Sequence, residues 1–143
     1  MATSNSKNPK RGRDFEKRVS RVLEAKYRRK FKSEEIKIGH PPKEHAFDLV
    51  SEDKKIVAEC KYYSFTKTGN TPAAKMAVLN EAVFYLSHLP KKTEKLLILR
   101  RVYRSRSKNA VSLAGYYKRI NNHLLSGVVV MELDVRAKCL VRK

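Results

Sequence analysis

From Asp14 onward the apolar residues recur at helical spacing, at Phe15, Val19, Val22, Leu23 and Tyr27, with Lys, Arg and Glu on the other face. This pattern predicts a helix running to about Phe31. Ile36 and Ile38 then share one side of a short strand over 34–39. His40-Pro41-Pro42 forces a loop, because a proline lacks an amide donor and restricts the residue before it. The run 46–50, Ala-Phe-Asp-Leu-Val, reads as a second strand, 52–54 as a turn and 55–63 as a third strand. In the third, Ile56, Ala58, Cys60 and Tyr62 fall on one side and Val57, Glu59, Lys61 and Tyr63 on the other. Apolar residues on both sides predict a central strand covered twice. Its closeness to the second strand predicts an antiparallel hairpin.

Downstream, 65–71 reads as a loop with a Gly69-Asn70 turn signal, followed by Thr71 as N-cap and Pro72 as first helical residue. Met76, Leu79, Val83 and Leu86 form the buried stripe of a helix that stops at Pro90. A strongly apolar strand follows at 96–102, then a basic, serine-containing connection over 100–108. Asn109 is placed to cap a third helix with Leu113, Tyr116, Tyr117, Ile120 and Leu124 inward, closed by Gly127. A strand at 128–133 ends the pattern, with room for a short one at 139–141. The order αβββαβαβ predicts an α/β fold with a central mixed sheet and helices on both faces. Residues 1–11 carry no apolar period and read as a flexible basic arm. Residues 12–143 read as a single domain, since 143 residues suffice for one domain and not for two ordinary ones.

Charge narrows the partners. With 33 Lys and Arg against 14 Asp and Glu, the formal net charge is +19. A domain this basic repels itself unless an anion compensates. Nucleic acid, with about one charge per 1.7 Å of duplex axis, is the default, and a membrane surface the rival. No stretch approaches the roughly 20 apolar residues that span a bilayer, and no secretory signal is visible, so no membrane partner is expected. Cys60 and Cys139 lie far apart and in no ligand motif, which points to an intracellular compartment, cytoplasm or nucleoid. The four histidines show no zinc spacing. No organic cofactor is expected.

The chemistry concentrates in Phe47-Asp48-Leu49-Val50 and Ala58-Glu59-Cys60-Lys61. Glu59 and Lys61 are two apart on a strand and share a face, and Asp48 on the neighbouring strand can stand beside them. A central strand that buries such charges bears a cost of several kcal/mol, order of magnitude, unless they are compensated. A divalent cation held by two carboxylates with a lysine alongside would supply that compensation. Glu-x-Lys alone is a weak motif, and the plain alternative is a surface ion pair on an edge strand with Asp48 near a turn. The conjunction of hairpin, Asp before Glu-x-Lys, preceding helix and basic charge is the stronger signal.

These residues resemble the PD-(D/E)XK nuclease superfamily, the restriction-endonuclease-like fold, over about Arg11 to Leu133. The family's Asp falls on Asp48, its acidic residue on Glu59 and its Lys on Lys61, with Phe47 where the motif's name has Pro. Many members carry a Glu in the first helix, and Glu16 in Gly12-Arg13-Asp14-Phe15-Glu16 matches it. Small Holliday-junction resolvases and restriction or homing endonucleases are similar. The resemblance implies a Mg²⁺-dependent DNA endonuclease, with Mn²⁺ as a substitute. Asp48, Glu59 and the Cys60 carbonyl would bind the metal, Lys61 would position water or stabilise phosphate charge, and Glu16 would complete the outer shell or hold a second metal. Breaking two strands implies two sites, hence a homodimer. Arg13, Lys67, Asn70, Lys75, Arg104 and Arg106 are the DNA-contact candidates, Lys67, Asn70 and Lys75 because they surround a helix N-terminus, which favours anions. A solvated basic surface is the alternative for each. His45 reads as a polar residue leading its strand, with a phosphate contact as the alternative. A non-catalytic basic DNA-binding module on the same fold is the competing function.

Overall fold

The computed structural model describes residues 2–104 and 110–143, with the side chains of the first helix described from residue 9 onward. Its elements are α1 (Ala2–Tyr27), β1 (Phe31–Ile38), β2 (Lys43–Ser51), β3 (Ile56–Lys61), α2 (Ala73–Ser87), β4 (Glu94–Arg100), α3 (Leu113–Asn121), a short 3-10 turn (Asn122–Leu124), β5 (Val129–Asp134) and β6 (Cys139–Arg142). The six strands form one sheet in sequence order. β1–β2, β2–β3 and β5–β6 pair antiparallel, and β3–β4 and β4–β5 pair parallel. The molecule is thus an α/β structure, a six-stranded mixed sheet flanked by three helices among the described residues. No helix among them is long and apolar enough to cross a membrane.

Strand alternation sorts the core into two layers. Phe15, Val19 and Leu23 of α1 pack with Leu49, Ile56, Ala58, Cys60, Leu96 and Ile98 on one face. Leu79, Val83 and Leu86 of α2 and Leu113 and Tyr117 of α3 pack with Phe47, Val57, Leu97 and Leu99 on the other. β3 and β4 are therefore covered twice, as the two-sided apolar pattern predicts. The exposed edge strand β1 carries Lys32, Glu34, Glu35 and Lys37, charges that discourage edge pairing.

Three local expectations change. Helix α1 begins at Ala2 rather than Asp14, so helical backbone runs through the segment without an apolar period. Pro9 inside it has no amide to bond the preceding turn. Pro72, in an extended conformation, takes the N-cap place of α2 without a side-chain bond, which leaves Thr71 one residue too early to cap. Helix α3 is capped by Ser112, whose Oγ accepts from the Gly115 amide at 3.0 Å. Asn109, the expected cap, lies outside the described residues. Because α3 is only nine residues long, its inward stripe is short: Leu113 and Tyr117 are buried, while Ile120 and Leu124 are about half exposed.

The two helices on the second face are tied by a hydrogen bond from the Tyr117 hydroxyl to Asn80 Oδ1 at 2.8 Å. Tyr117→Phe removes that bond and little volume. It should lower the unfolding free energy by roughly 0.5–1.5 kcal/mol in urea titration. An unchanged midpoint would mean water replaces the bond without loss.

Candidate active site

The β2–β3 ladder is short. Leu49 pairs with Ala58 and Val50 with Val57, and the pairing stops there. On its other side β2 carries a bulge: between the pairs Lys32–Val50 and Glu34–Phe47, β1 advances two residues and β2 three. Asp48 and Leu49 thus oppose Ser33 alone, and Ser33 Oγ donates to the Phe47 carbonyl at 3.1 Å. If the ladder continued, Cys60 would exchange hydrogen bonds with Phe47. Instead Asp48 Oδ2 accepts the Cys60 amide at 2.8 Å. The two strands fork at this point, with the Asp48 carboxylate in the opening. In a strand the N–H and C=O of one residue point to the same edge. The Cys60 carbonyl is therefore directed into the same opening and away from β4. The Cys60 side chain is buried on the α1 face, where burial pushes its thiol well above the usual range. Any ligand role for this residue falls to the carbonyl.

Glu59 and Lys61 leave β3 on the α2 side, and Glu16 reaches the fork from α1. Glu59 is almost wholly buried. Burial first, and the neighbouring Asp48 carboxylate second, push its pKa far above the carboxylate range, with Lys61 pulling weakly the other way. Glu16 is raised to about 7, again by burial first and Asp48 second, with Lys61 and Arg13 opposing. The four residues singled out by the sequence therefore converge electrostatically around Asp48. Their convergence comes from a bulge and a fork, not from the flat face of a regular hairpin.

Glu59 Oε1 has no hydrogen-bond partner and no solvent contact. Its one neighbour at ion-pair range among the described residues is His45 Nε2, at 3.9 Å. The other buried acid, Glu132, also has one unpartnered oxygen, Oε2, but differs at the second. Its Oε1 is met by Arg101 Nε at 3.1 Å and Lys143 Nζ at 3.2 Å. Glu59 thus lacks a cation where Glu132 has two. Among the described residues no three His, Cys, Asp or Glu side chains form a group that could hold a metal ion. A divalent cation here would rest on Asp48, Glu59, the Cys60 carbonyl and water, a small protein ligand set of the kind Mg²⁺ accepts. The unpartnered buried oxygen is the feature such an ion fits.

Beside the fork opens a cleft of about 480 Å³ lined by Glu16, Lys61, Lys67, Lys75, Arg11 and Arg100, among others. Glu16 is its one acid. Lys75 lies over the Tyr63 ring at 4.7 Å and Arg100 over Tyr62 at 4.6 Å, so aromatic stems hold these cations in place. Lys67 and Lys75, two of the expected DNA-contact residues, both line this cleft. Arg13 is exposed on α1 near Glu16. Asn70 does not line this cleft. Its amide and side chain bond Thr66 and Thr68 and close the 66–70 turn, in which Gly69 takes φ +83°. Arg104 also serves the loop: Nη2 donates to Thr71 Oγ1 at 3.1 Å, and the guanidinium lies over Phe65. Arg106 lies outside the described residues. The sequence reading gives Arg11 no site role, places Arg100 with Arg104 and Arg106 in a basic cluster suited to DNA-backbone contact, and takes His45 as a strand polar residue. Only the fork shows how close His45 comes to Glu59.

Comparisons of the chain with protein-family models, curated proteins and solved structures gave no match.

A raised carboxyl pKa in the fold means that protonation favours folding. That stabilisation is full below the unfolded value and is lost as pH rises through the folded one. For Glu16 the window runs from 4.5 to about 7, and Glu59 extends it upward. Without divalent metal, stability should therefore fall as pH rises through neutrality. Glu59→Gln removes the largest part of this loss and should raise the metal-free Tm at pH 8 by on the order of 5 °C. Thermal melts in EDTA at pH 5 and pH 8 check this. A variant destabilised equally at both pH values would show that the Glu59 charge is already compensated.

Proposed function

We propose that this chain is a metal-dependent DNA endonuclease of the restriction-endonuclease-like kind, hydrolysing phosphodiester bonds at the β2–β3 fork. The observation that supports it best is the unpartnered, buried Glu59 oxygen beside Asp48, in a strand whose next residues, Cys60 and Lys61, line a cleft rich in lysines and arginines. A protein that only binds DNA gains nothing from acids next to its phosphate-facing surface, where they oppose binding.

Asp48, Glu59 and the Cys60 carbonyl would hold Mg²⁺ or Mn²⁺. The ion, when bound, would supply polarisation of the phosphate and acidification of water. The remaining work falls to the chain. Lys61, on the cleft wall, donates to a phosphate oxygen or to the attacking water and offsets charge as it grows there. Glu16, with a pKa near neutrality, can take or give a proton at the cleft side of Asp48. Lys67, Lys75, Arg11 and Arg100 fix the backbone of the DNA without reading its sequence.

Glu59→Gln should abolish Mg²⁺-dependent cleavage of a panel of duplex, nicked, flapped and four-way DNA, while metal-free binding is retained or modestly tighter. Lys61→Ala should lose about 10²–10³ in turnover and bind slightly less well, since it deletes a positive charge. Wild type and Glu59→Gln equally inert on every substrate would leave the non-catalytic binding module as the function.

Affinity should also fall steeply with salt. Six to ten phosphate contacts imply a loss of about 10³–10⁵ between 50 and 200 mM. Fluorescence anisotropy with labelled duplex measures it, and a flat profile would assign the basic surface to something other than DNA.

A further inference from the structure

We infer that the groove between the end of α2 and the outer part of β1 and β2 is a stacking site for one unpaired nucleobase beside the scissile phosphate, so that the DNA recognised carries an unpaired nucleotide. This rests on the nuclease reading and names its substrate class. The groove holds about 340 Å³, within the size range of small-ligand pockets, and is lined by Ile38, Lys43, Glu44, His45, Phe84, Tyr85 and His88, among others.

Its rings form a continuous series that starts at the acid pair. His45 Nε2 lies 3.9 Å from Glu59 Oε1. The His45 ring stacks on Tyr85 with centroids 3.8 Å apart and 13° between planes, and meets Phe47 edge-on at 4.7 Å. Beyond Tyr85, Phe84 meets His88 edge-on at 4.7 Å, and His88 Nδ1 lies 2.8 Å from the Phe84 carbonyl. Phe84 nevertheless exposes 63% of its surface. A large ring held in place by its neighbours, with its own surface open to water, is a platform rather than a core residue.

Charge selects the occupant. His45 pairs across the strands with Ile36 and Lys43 with Ile38, so both point to this face, while Glu44 pairs with Lys37 on the opposite face. There the Glu44 carboxyl is engaged with Glu35. Glu44 lines the groove as well, but with its carboxyl turned to Glu35, so Lys43 is the charged side chain directed into it. A second copy of a chain with net charge +19 would bring like charge to it, whereas a nucleotide brings a flat ring and a phosphate. Bases inside a duplex are stacked and cannot reach such a platform. An unpaired one can, with no cost of extrusion.

The test uses wild-type protein in EDTA, so that binding is read without cleavage. Two DNA probes differ only in whether a single 2-aminopurine is unpaired or paired. Binding should change the fluorescence of the unpaired probe and leave the paired one nearly unaltered. Phe84→Ala should weaken the unpaired probe by about 5- to 150-fold, the loss expected for one stacked base, and the paired probe by no more than about twofold. Phe84→Leu keeps apolar bulk without a π-face and should behave like alanine. Equal weakening of both probes, or full affinity in Phe84→Leu, overturns the proposal. So does a Phe84→Ala variant that turns a dimer into a monomer in sedimentation while discrimination is unchanged, an outcome that assigns the groove to a second copy. A wild type that discriminates the probes yet cuts nothing with Mg²⁺ would instead sink the nuclease reading alone.

Discussion

Asp48 ends the β2–β3 ladder by offering its own carboxylate to the Cys60 amide, and the geometry of the cleft follows from that contact. A sheet covered on both faces leaves little room for polar groups in its central strands. The bulge opposite Ser33 is what lets an acidic residue of β2 turn into the opening without entering either apolar layer. Because the side chain substitutes for the missing main-chain acceptor, the fork leaves the Cys60 amide satisfied. Glu59 and Lys61 then project where the strands have separated, and Glu16 closes the opening from α1.

The two buried acids show how differently one sheet can treat a carboxylate. On β5, Glu132 is neutralised by Arg101 and Lys143, which come from the end of β4 and the end of the chain. That arrangement fastens the β4–β5–β6 edge and leaves the buried negative charge paired. At Glu59 the nearby cations point into the cleft, and the acid keeps only His45 and Asp48 for company. An uncompensated buried acid favours either a proton or a metal ion, and the pH of the surroundings decides between them.

Much of this was legible from residue spacing. The α1 stripe, the two-sided β3, the α2 stripe and the element order all follow from apolar period, because burial on a sheet or helix face imposes it. Asp48, Glu59 and Lys61 were legible as a group because charges in so apolar a stretch stand out. The bulge was not, since it depends on the register between two strands, and nothing in Phe47-Asp48-Leu49 marks it. Nor was the position of His45, which strand alternation alone leaves undefined relative to Glu59. Caps failed for a related reason: Thr71 and Asn109 have the right chemistry, but Pro72 and Ser112 occupy the junctions where the chain turns. Arg104 shows the same limit, as its basic charge signalled a partner and its guanidinium is spent on Thr71 and Phe65.

The Cys60 amide hydrogen-bonds a side chain where Ala58, on the same edge of β3, pairs with the β2 main chain, and this gives the molecule an internal reporter. A hydrogen bond to an ionised carboxylate is shorter and stronger than one to a neutral acceptor, and the amide proton in it is the more deshielded. Whatever draws electron density from Asp48, a cation or a proton, weakens the bond and shifts the resonance. A single backbone signal, observable in an isotope-labelled sample without any substrate, therefore registers the electrical state of the fork.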